Sequence, residues 1–438
     1  MKSSESYTRY ELGRDEARKG QIIAMRQELM DNLDPSEALT MSNSELEFSI
    51  FQALSQIAVN NKVTMNLREQ QQLTKELLDD IRGLGPLEAL INDDTVSDIL
   101  VNGPHQVYVE QNGHLTLADV SFRDQSHVHN IAQRVASRVG RRIDESSPMV
   151  DARLEDGSRV NVVAPPLSLN GTVISIRKFS KHKLTLAHMA TANNLSKSMA
   201  DLLALFVKAK MNILVSGGTG AGKTTLLNAL SAHIGDDERV ITIEDAAELQ
   251  LNQPHVVSLE TRATSIEGSG EVNQTDLVKN ALRMRPDRIL LGEVRGEEVF
   301  DMLQAMNTGH DGSLSTVHAN TPNDALIRLE NMLSMAQSKL SPELIRKQIA
   351  SSIDVIVQIE RCRDGHRRVT KISETHGVNS GQIELTTLFE FEIHESDNED
   401  TLQGAFVQRQ SSSEKQEKLI SAGLSRQLKQ LLGGRGQS

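Results

Sequence analysis

Residues 215–230 read VSGGTGAGKTTLLNAL and set Gly217, Gly222, Lys223 and Thr224 at the spacing G-x-x-x-x-G-K-[ST]. The aliphatic run before them reads as a strand and TTLLNAL after them as a helix, so the glycines occupy a strand-to-helix turn. Across Gly217, Gly218, Thr219, Gly220, Ala221 and Gly222 such a turn curls its backbone N–H groups inward, and the helix N-terminus adds partial positive charge. The stretch therefore predicts a phosphate cradle. Lys223 reaches the β- and γ-phosphates, and the hydroxyl of Thr224, followed by Thr225, binds Mg²⁺. Outward from this turn the order strand, loop, helix, strand recurs, with NILVSGG, RVITIED, VVSLE, RILLGEV and SLSTVHA as strands. That order implies an α/β fold with a mostly parallel sheet and helices on its faces.

Three further elements fall at strand ends, where such a sheet displays its chemistry. ITIEDAAEL (241–249) sets Glu244 beside Asp245. Paired acids there also suit a capped helix start. RPDRILLGEVRG (285–296) ends an aliphatic strand in Glu293, yet Gly292 stands where an aspartate ordinarily helps to hold magnesium. The ion is then left to Thr224, phosphate oxygens and water, with Glu244 or Asp245 nearby. Glu293 becomes available to polarise the attacking water; spacing alone leaves Glu244 as the other choice of base. GHDGSLSTVHAN (309–320) sets His310 and His318 around a strand. Without a cysteine nearby, these histidines suit a γ-phosphate contact better than a metal site.

Upstream, residues 1–95 are polar and helix-biased, with apolar residues at helical spacing in LEFSIFQALSQIAV and REQQQLTKELLDDIRGLG. SDILVN, QVYVEQ, HLTLADVSF and GTVISIRKF read as strands, SHVHNIAQRVASRVG as a helix capped by Ser126, and Asp156-Gly157 as a hairpin turn. Residues 96–179 thus form a small α+β domain, 180–196 a polar linker, and 197–438 the phosphate-binding domain with a helical and tail region at its end. In that last part Thr321 caps a helix opened by Pro322. QIELTTLFEFEI is strand-like, HESDNED is a solvated run, and residues 413–432 read as one basic amphipathic helix.

Composition excludes several classes. A chain of 438 residues, 38% hydrophobic, suffices for two or three domains with real cores. It holds no window apolar enough to span a membrane and opens without the apolar core of a signal peptide, which predicts a cytoplasmic protein. The lone Cys362 makes no internal disulfide or thiolate zinc cluster. A net charge of −12, 3% aromatic residues and no tryptophan argue against a nucleic-acid partner.

GGTGAGKTT, the ITIEDAAEL acid box, the single-glutamate RMRPDRILLGEVRG segment and the histidine box occur in the order typical of secretion and pilus ATPases, and the chain resembles that superfamily of hexameric motors. SDILVNGPHQVYVE, ARLEDGSRVNVVAPP, ISIRKF and IEGSGEVNQTDLVKNALRMRPDRILLGEVRG are most similar to Flp/Tad pilus assembly ATPases; the likeness spans roughly residues 75–380. It implies a RecA-like P-loop ATPase domain behind a smaller α+β, PAS-like domain and a helical extension. It also implies ATP and Mg²⁺ as ligands, a homohexamer, and membrane-platform proteins as partners at the cytoplasmic face of the inner membrane. By the same resemblance Arg159 and Arg177 match arginines that reach phosphate, while Arg262, Arg283 and Arg295 lie in or beside the other motifs. The rival within the superfamily is an exporter ATPase of the VirB11 kind. The four-cysteine zinc insertion common in type II secretion motors is excluded by the cysteine count.

Overall fold

Apolar residues at every second position build the first of two sheets. The computed structural model describes residues 18–433, apart from 19, 34–37, 39, 112, 155, 180–182, 263–269, 338 and 395–401. The chain divides into two compact units between Ser180 and Lys181. All but the first residue of HESDNED, and part of the segment before the glutamate strand, lie outside the described residues.

In the first unit, α1 (Asn43–Asn60) and α2 (Leu67–Arg82) each begin with a reciprocal capping box, from Ser42 with Glu45 and from Asn66 with Glu69. Their apolar faces meet through Leu46, Ile50 and Leu54 against Leu73 and Leu77. Strands β1 (Val96–Gly103), β2 (Gln106–Gln111), β3 (His114–Leu117), β4 (Met149–Arg153), β5 (Arg159–Val163) and β6 (Val173–Arg177) form an antiparallel sheet in the order β3-β2-β1-β6-β5-β4. Ile99, Val101, Val160, Val162, Ile174 and Ile176 turn to a common core, joined by Val128, Ile131 and Val135 of α3 (Gln125–Arg138). The cap of α3 is Asp124, which accepts from His127 N at 2.8 Å, and not Ser126, which lies inside the helix. Gly157, at φ 90°, turns the chain between β4 and β5.

The second unit opens with α4 (Leu186–Thr191) inside the stretch read as a polar linker. Leu186 and Met189 give that stretch a buried face, so it belongs to the core. After α5 (Lys197–Lys208) come β7 (Ile213–Ser216), α6 (Lys223–Ser231), β8 (Val240–Glu244), β9 (Val256–Glu260), α7 (Gln274–Ala281), β10 (Arg288–Val294), α8 (Glu298–Asn307) and β11 (Leu314–Val317). Helices α9 (Pro322–Ala336) and α10 (Pro342–Ser352) follow, Thr321 capping α9 through Asp324 N. The strands run parallel in the order β9-β8-β10-β11-β7-β12, with β12 at Val355–Arg361. Beyond β12 the sheet continues antiparallel through β13 (Arg367–Asn379), β14 (Gln382–Ile393) and β15 (Gly404–Gln408); β14 is the strand-like QIELTTLFEFEI, and β13 and β15 add sheet to a region expected to be helix and tail. Residues 413–432 form two helices, α11 (Gln416–Ser421) and α12 (Ser425–Gly433), not one; Gly423, at φ 70°, breaks them. Ile213 and Val215 face one core and Leu214 the other, which makes the parallel sheet a middle layer. No helix among the described residues is long and apolar enough to cross a membrane.

Candidate nucleotide site

The phosphate turn leaves β7 at Ser216 and enters α6 at Lys223. Gly220 and Gly222 take φ of 70° and 99°, a region costly for any residue with a Cβ. A Cβ on Gly217 would collide with the Ile359 carbonyl oxygen of β12. These glycines let the loop pass close beneath β12 while keeping its amides available.

Lys223 is 8% exposed; its Nζ donates to Gly218 O at 3.1 Å and lies 3.3 Å from His318 Nε2. His318 Nε2 is in turn 3.0 Å from Glu293 Oε1. Arg295 donates to Glu293 Oε2 at 2.8 Å and pairs with Asp245 at 3.4 Å. Burial pushes the Lys223 ammonium below its ordinary value, against the opposing pull of Glu293. Burial and then the charge of Lys223 push the His318 imidazole down as well, against the opposing pull of Glu293. The bond to Glu293 raises Arg295. The result is a chain of alternating partners, Lys223, His318, Glu293, Arg295 and Asp245, built from the ends of β7, β11, β10 and β8.

Glu244 accounts for the glycine at 292. Leu291 pairs with Ile243, so position 292 lies beside Glu244 on the adjoining strand, and a Cβ there would come within 2.9 Å of Glu244 Cγ. Glu244 is 3% exposed, and its Oε2 accepts from Glu248 N at 2.8 Å and Leu249 N at 3.0 Å. The carboxylate from β8 thus fills the space that a side chain on β10 would need. Asn228 of α6 braces the same loop by accepting from Gln250 N at 2.8 Å.

The structure does not bring His310 to this site. β11 runs parallel to β7 with Leu314 beside Ile213 and Val317 beside Ser216, so His318 emerges at the phosphate turn while His310 precedes the strand. Four strand residues set the two ends roughly 13 Å apart. Near His310, Gly312 N donates to Asn212 Oδ1 at 2.8 Å and Asp311 pairs with Lys418 at 2.7 Å, both at the opposite edge. Arg159 and Arg177 belong to the first unit, face to face on β5 and β6; Arg177 makes an exposed ion pair with Asp98 at 3.2 Å. Arg262 donates to Gly270 O at 2.6 Å, and Arg283 is an exposed residue just after α7.

Two residues escaped the sequence reading. Arg328 of α9 lines an open pocket of about 510 Å³ with Gly218, Thr219, His318 and Asn331, and its charge helps to lower Lys223 and His318. Arg367 of β13 donates from Nε to Gly220 O at 2.9 Å. Both arrive from far along the chain and carry no motif. Among the described residues no group of three or more His, Cys, Asp or Glu side chains is placed to hold a metal. A divalent ion here would be one carried by phosphate oxygens, Thr224 and water, an arrangement the glycine cradle suits.

The family model described as type II/IV secretion system protein matches residues 80–429. The chain belongs to that family. A protein of Mycobacterium tuberculosis, described provisionally as a conjugal transfer protein, is 38% identical over 339 residues, 76% of this chain and 96% of its own. The type IV secretion system protein VirB11 of Bartonella quintana is 33% identical over 328 residues, 66% of this chain and 91% of its own. The crystal structure of the VirB11 ATPase from the Brucella suis type IV secretion system, in complex with sulphate, is 29% identical. The match covers 66% of this chain and 95% of that one at a TM-score of 0.36. Membership of the secretion and pilus superfamily agrees with the order of the four motifs.

Proposed function

We propose that this chain is an ATP-hydrolysing secretion motor that powers assembly of a Flp/Tad-type pilus. The observation that carries the reading is the approach of Lys223, His318 and Glu293 at the mouth of the phosphate turn, with contacts of 3.3 and 3.0 Å. Lys223 neutralises the β- and γ-phosphates, and His318 donates to the γ-phosphate. Glu293, which stands beside His318 at the mouth of the phosphate turn, takes the proton of the attacking water. Thr224 and Glu244 are the residues that would hold Mg²⁺, which would supply charge neutralisation on the phosphates when bound. Arg159 and Arg177 enter as phosphate contacts on the family resemblance.

The reading includes a RecA-like core, a PAS-like smaller domain, a homohexamer, and docking to platform proteins at the cytoplasmic face of the inner membrane, without nucleic acid. A second reading, an exporter ATPase, is favoured by the relatives described as conjugal transfer and VirB11 proteins. Phosphate release from Mg·ATP by the purified chain, absent in Lys223→Ala, tests the chemistry. Deleting the gene separates the two readings: loss of surface pili supports the first and loss of exported substrate the second.

A further inference from the structure

A phosphate cradle works only if its amides point inward, and each inward amide tends to leave a carbonyl pointing out in need of a donor. At Gly220 that donor is Arg367, whose Nε reaches the carbonyl at 2.9 Å. The same side chain lies along the loop, since a Cβ on Gly222 would come within 3.3 Å of Arg367 Cδ.

The placement of Arg367 is itself fixed. The turn from β12 to β13 is closed by Cys362 N donating to His366 O at 2.8 Å, and Arg368 clamps it by donating to both oxygens of Asp364 at 2.9 and 2.8 Å. Arg368 is 6% exposed and lies over the Phe391 ring at 5.2 Å, so strand alternation sends its neighbour Arg367 to the opposite face, toward the phosphate turn. Asn194 holds the Arg367 backbone from outside the sheet: its Nδ2 donates to Arg367 O at 2.5 Å, and its own carbonyl accepts from Val369 N at 2.7 Å. The antiparallel hairpin that extends the sheet thereby acts as a rigid arm under the loop.

We infer that Arg367 is a positioning residue of the nucleotide site, holding the Gly220 carbonyl outward so that the loop amides stay turned toward polyphosphate. Its guanidinium also adds positive charge to the loop at a site for a nucleoside di- or triphosphate. This rests on the reading of the site as a nucleotide site. Arg367 touches the loop and not the reacting atoms, so its effect falls on nucleotide affinity and not on the chemical step.

The test is isothermal titration of the full chain with Mg·ADP, alongside phosphate release at saturating Mg·ATP. A charge-assisted bond to the loop predicts that Arg367→Ala binds Mg·ADP about tenfold or more weakly. Turnover at saturation should stay within about twofold of wild type. Arg367→Lys, which keeps the charge and loses the planar Nε donor, should fall between. Arg367→Gln repeats the measurement should the alanine variant melt early. Wild-type binding with unchanged affinity in the alanine and glutamine variants would overturn the inference while leaving the nucleotide reading intact. A loss of saturated turnover equal to the loss of affinity would also overturn it, since that would place Arg367 in the chemistry. Failure of wild type itself to bind Mg·ADP would instead refute the nucleotide reading on which the inference rests.

Discussion

Gly292→Ala tests whether Glu244 is the reason β10 carries no aspartate. The added methyl would lie 2.9 Å from Glu244 Cγ, against a side chain 3% exposed and tied by two backbone amides, so Glu244 has little room to yield. Overpacking of this kind costs about 1–3 kcal/mol. Gly292 does not have a positive φ, so alanine meets no backbone strain, and relief of glycine's conformational entropy returns roughly 0.5–1 kcal/mol. The net loss is about 1–2 kcal/mol at the middle of these ranges, equivalent to a fall in melting temperature of roughly 2–8 °C for a unit of this size. Thermal melts of wild type, Gly292→Ala, Glu244→Ala and the double variant form a closed cycle. In the Glu244→Ala background the glycine substitution should become neutral to stabilising by up to about 1 kcal/mol, giving a coupling of about 1–3 kcal/mol, the overpacking cost itself. An equal penalty in both backgrounds, or no penalty at all, would refute the steric account.

Arg159→Ala and Arg177→Ala should each lower ATP turnover about tenfold or more, the scale of a lost charge-assisted contact. The melting temperature of Arg177→Ala should hardly move, because its pair with Asp98 is exposed and surface pairs contribute little; unchanged turnover in both variants would make the arginines structural. Burial pushes the Glu238 carboxyl up, but bonds from Arg288 and Lys210 outweigh it and hold it down to about 2. Stability from this group is therefore present above about pH 4.5 and lost as pH falls toward 2. Wild type should lose on the order of 1–2 kcal/mol more than Glu238→Gln across that window, after discounting for solvent screening; parallel denaturation curves would contradict it. Light scattering should give a hexamer, strengthened by a non-hydrolysable ATP analogue. A monomer in both states with concentration-independent turnover would remove the ring mechanism.

What was legible in the sequence was local. The phosphate turn, the strand ends carrying Glu244 and Glu293, and the cap at Thr321 are set by residues within a few positions of one another. His310 lies away from the site because a strand only four residues long, Leu314–Val317, separates the two halves of the histidine box and carries them to opposite ends of the parallel strands. Of the antiparallel extension only β14, the strand-like QIELTTLFEFEI, is legible; β13 and β15 find their partners through pairing, not through periodicity. Arg328 and Arg367 reach the turn from more than a hundred residues away in sequence. The role of Gly292 depends on which strand lies beside it, which no spacing along one chain reveals.

The most direct test of the account is a paired measurement on Glu293→Gln: Mg·ATP affinity by titration and phosphate release under the same conditions. The account predicts affinity close to wild type and hydrolysis slowed by about a hundredfold or more, the scale of a lost general base. Near-normal hydrolysis in this variant would contradict the assignment of Glu293 and pass the proton to Glu244.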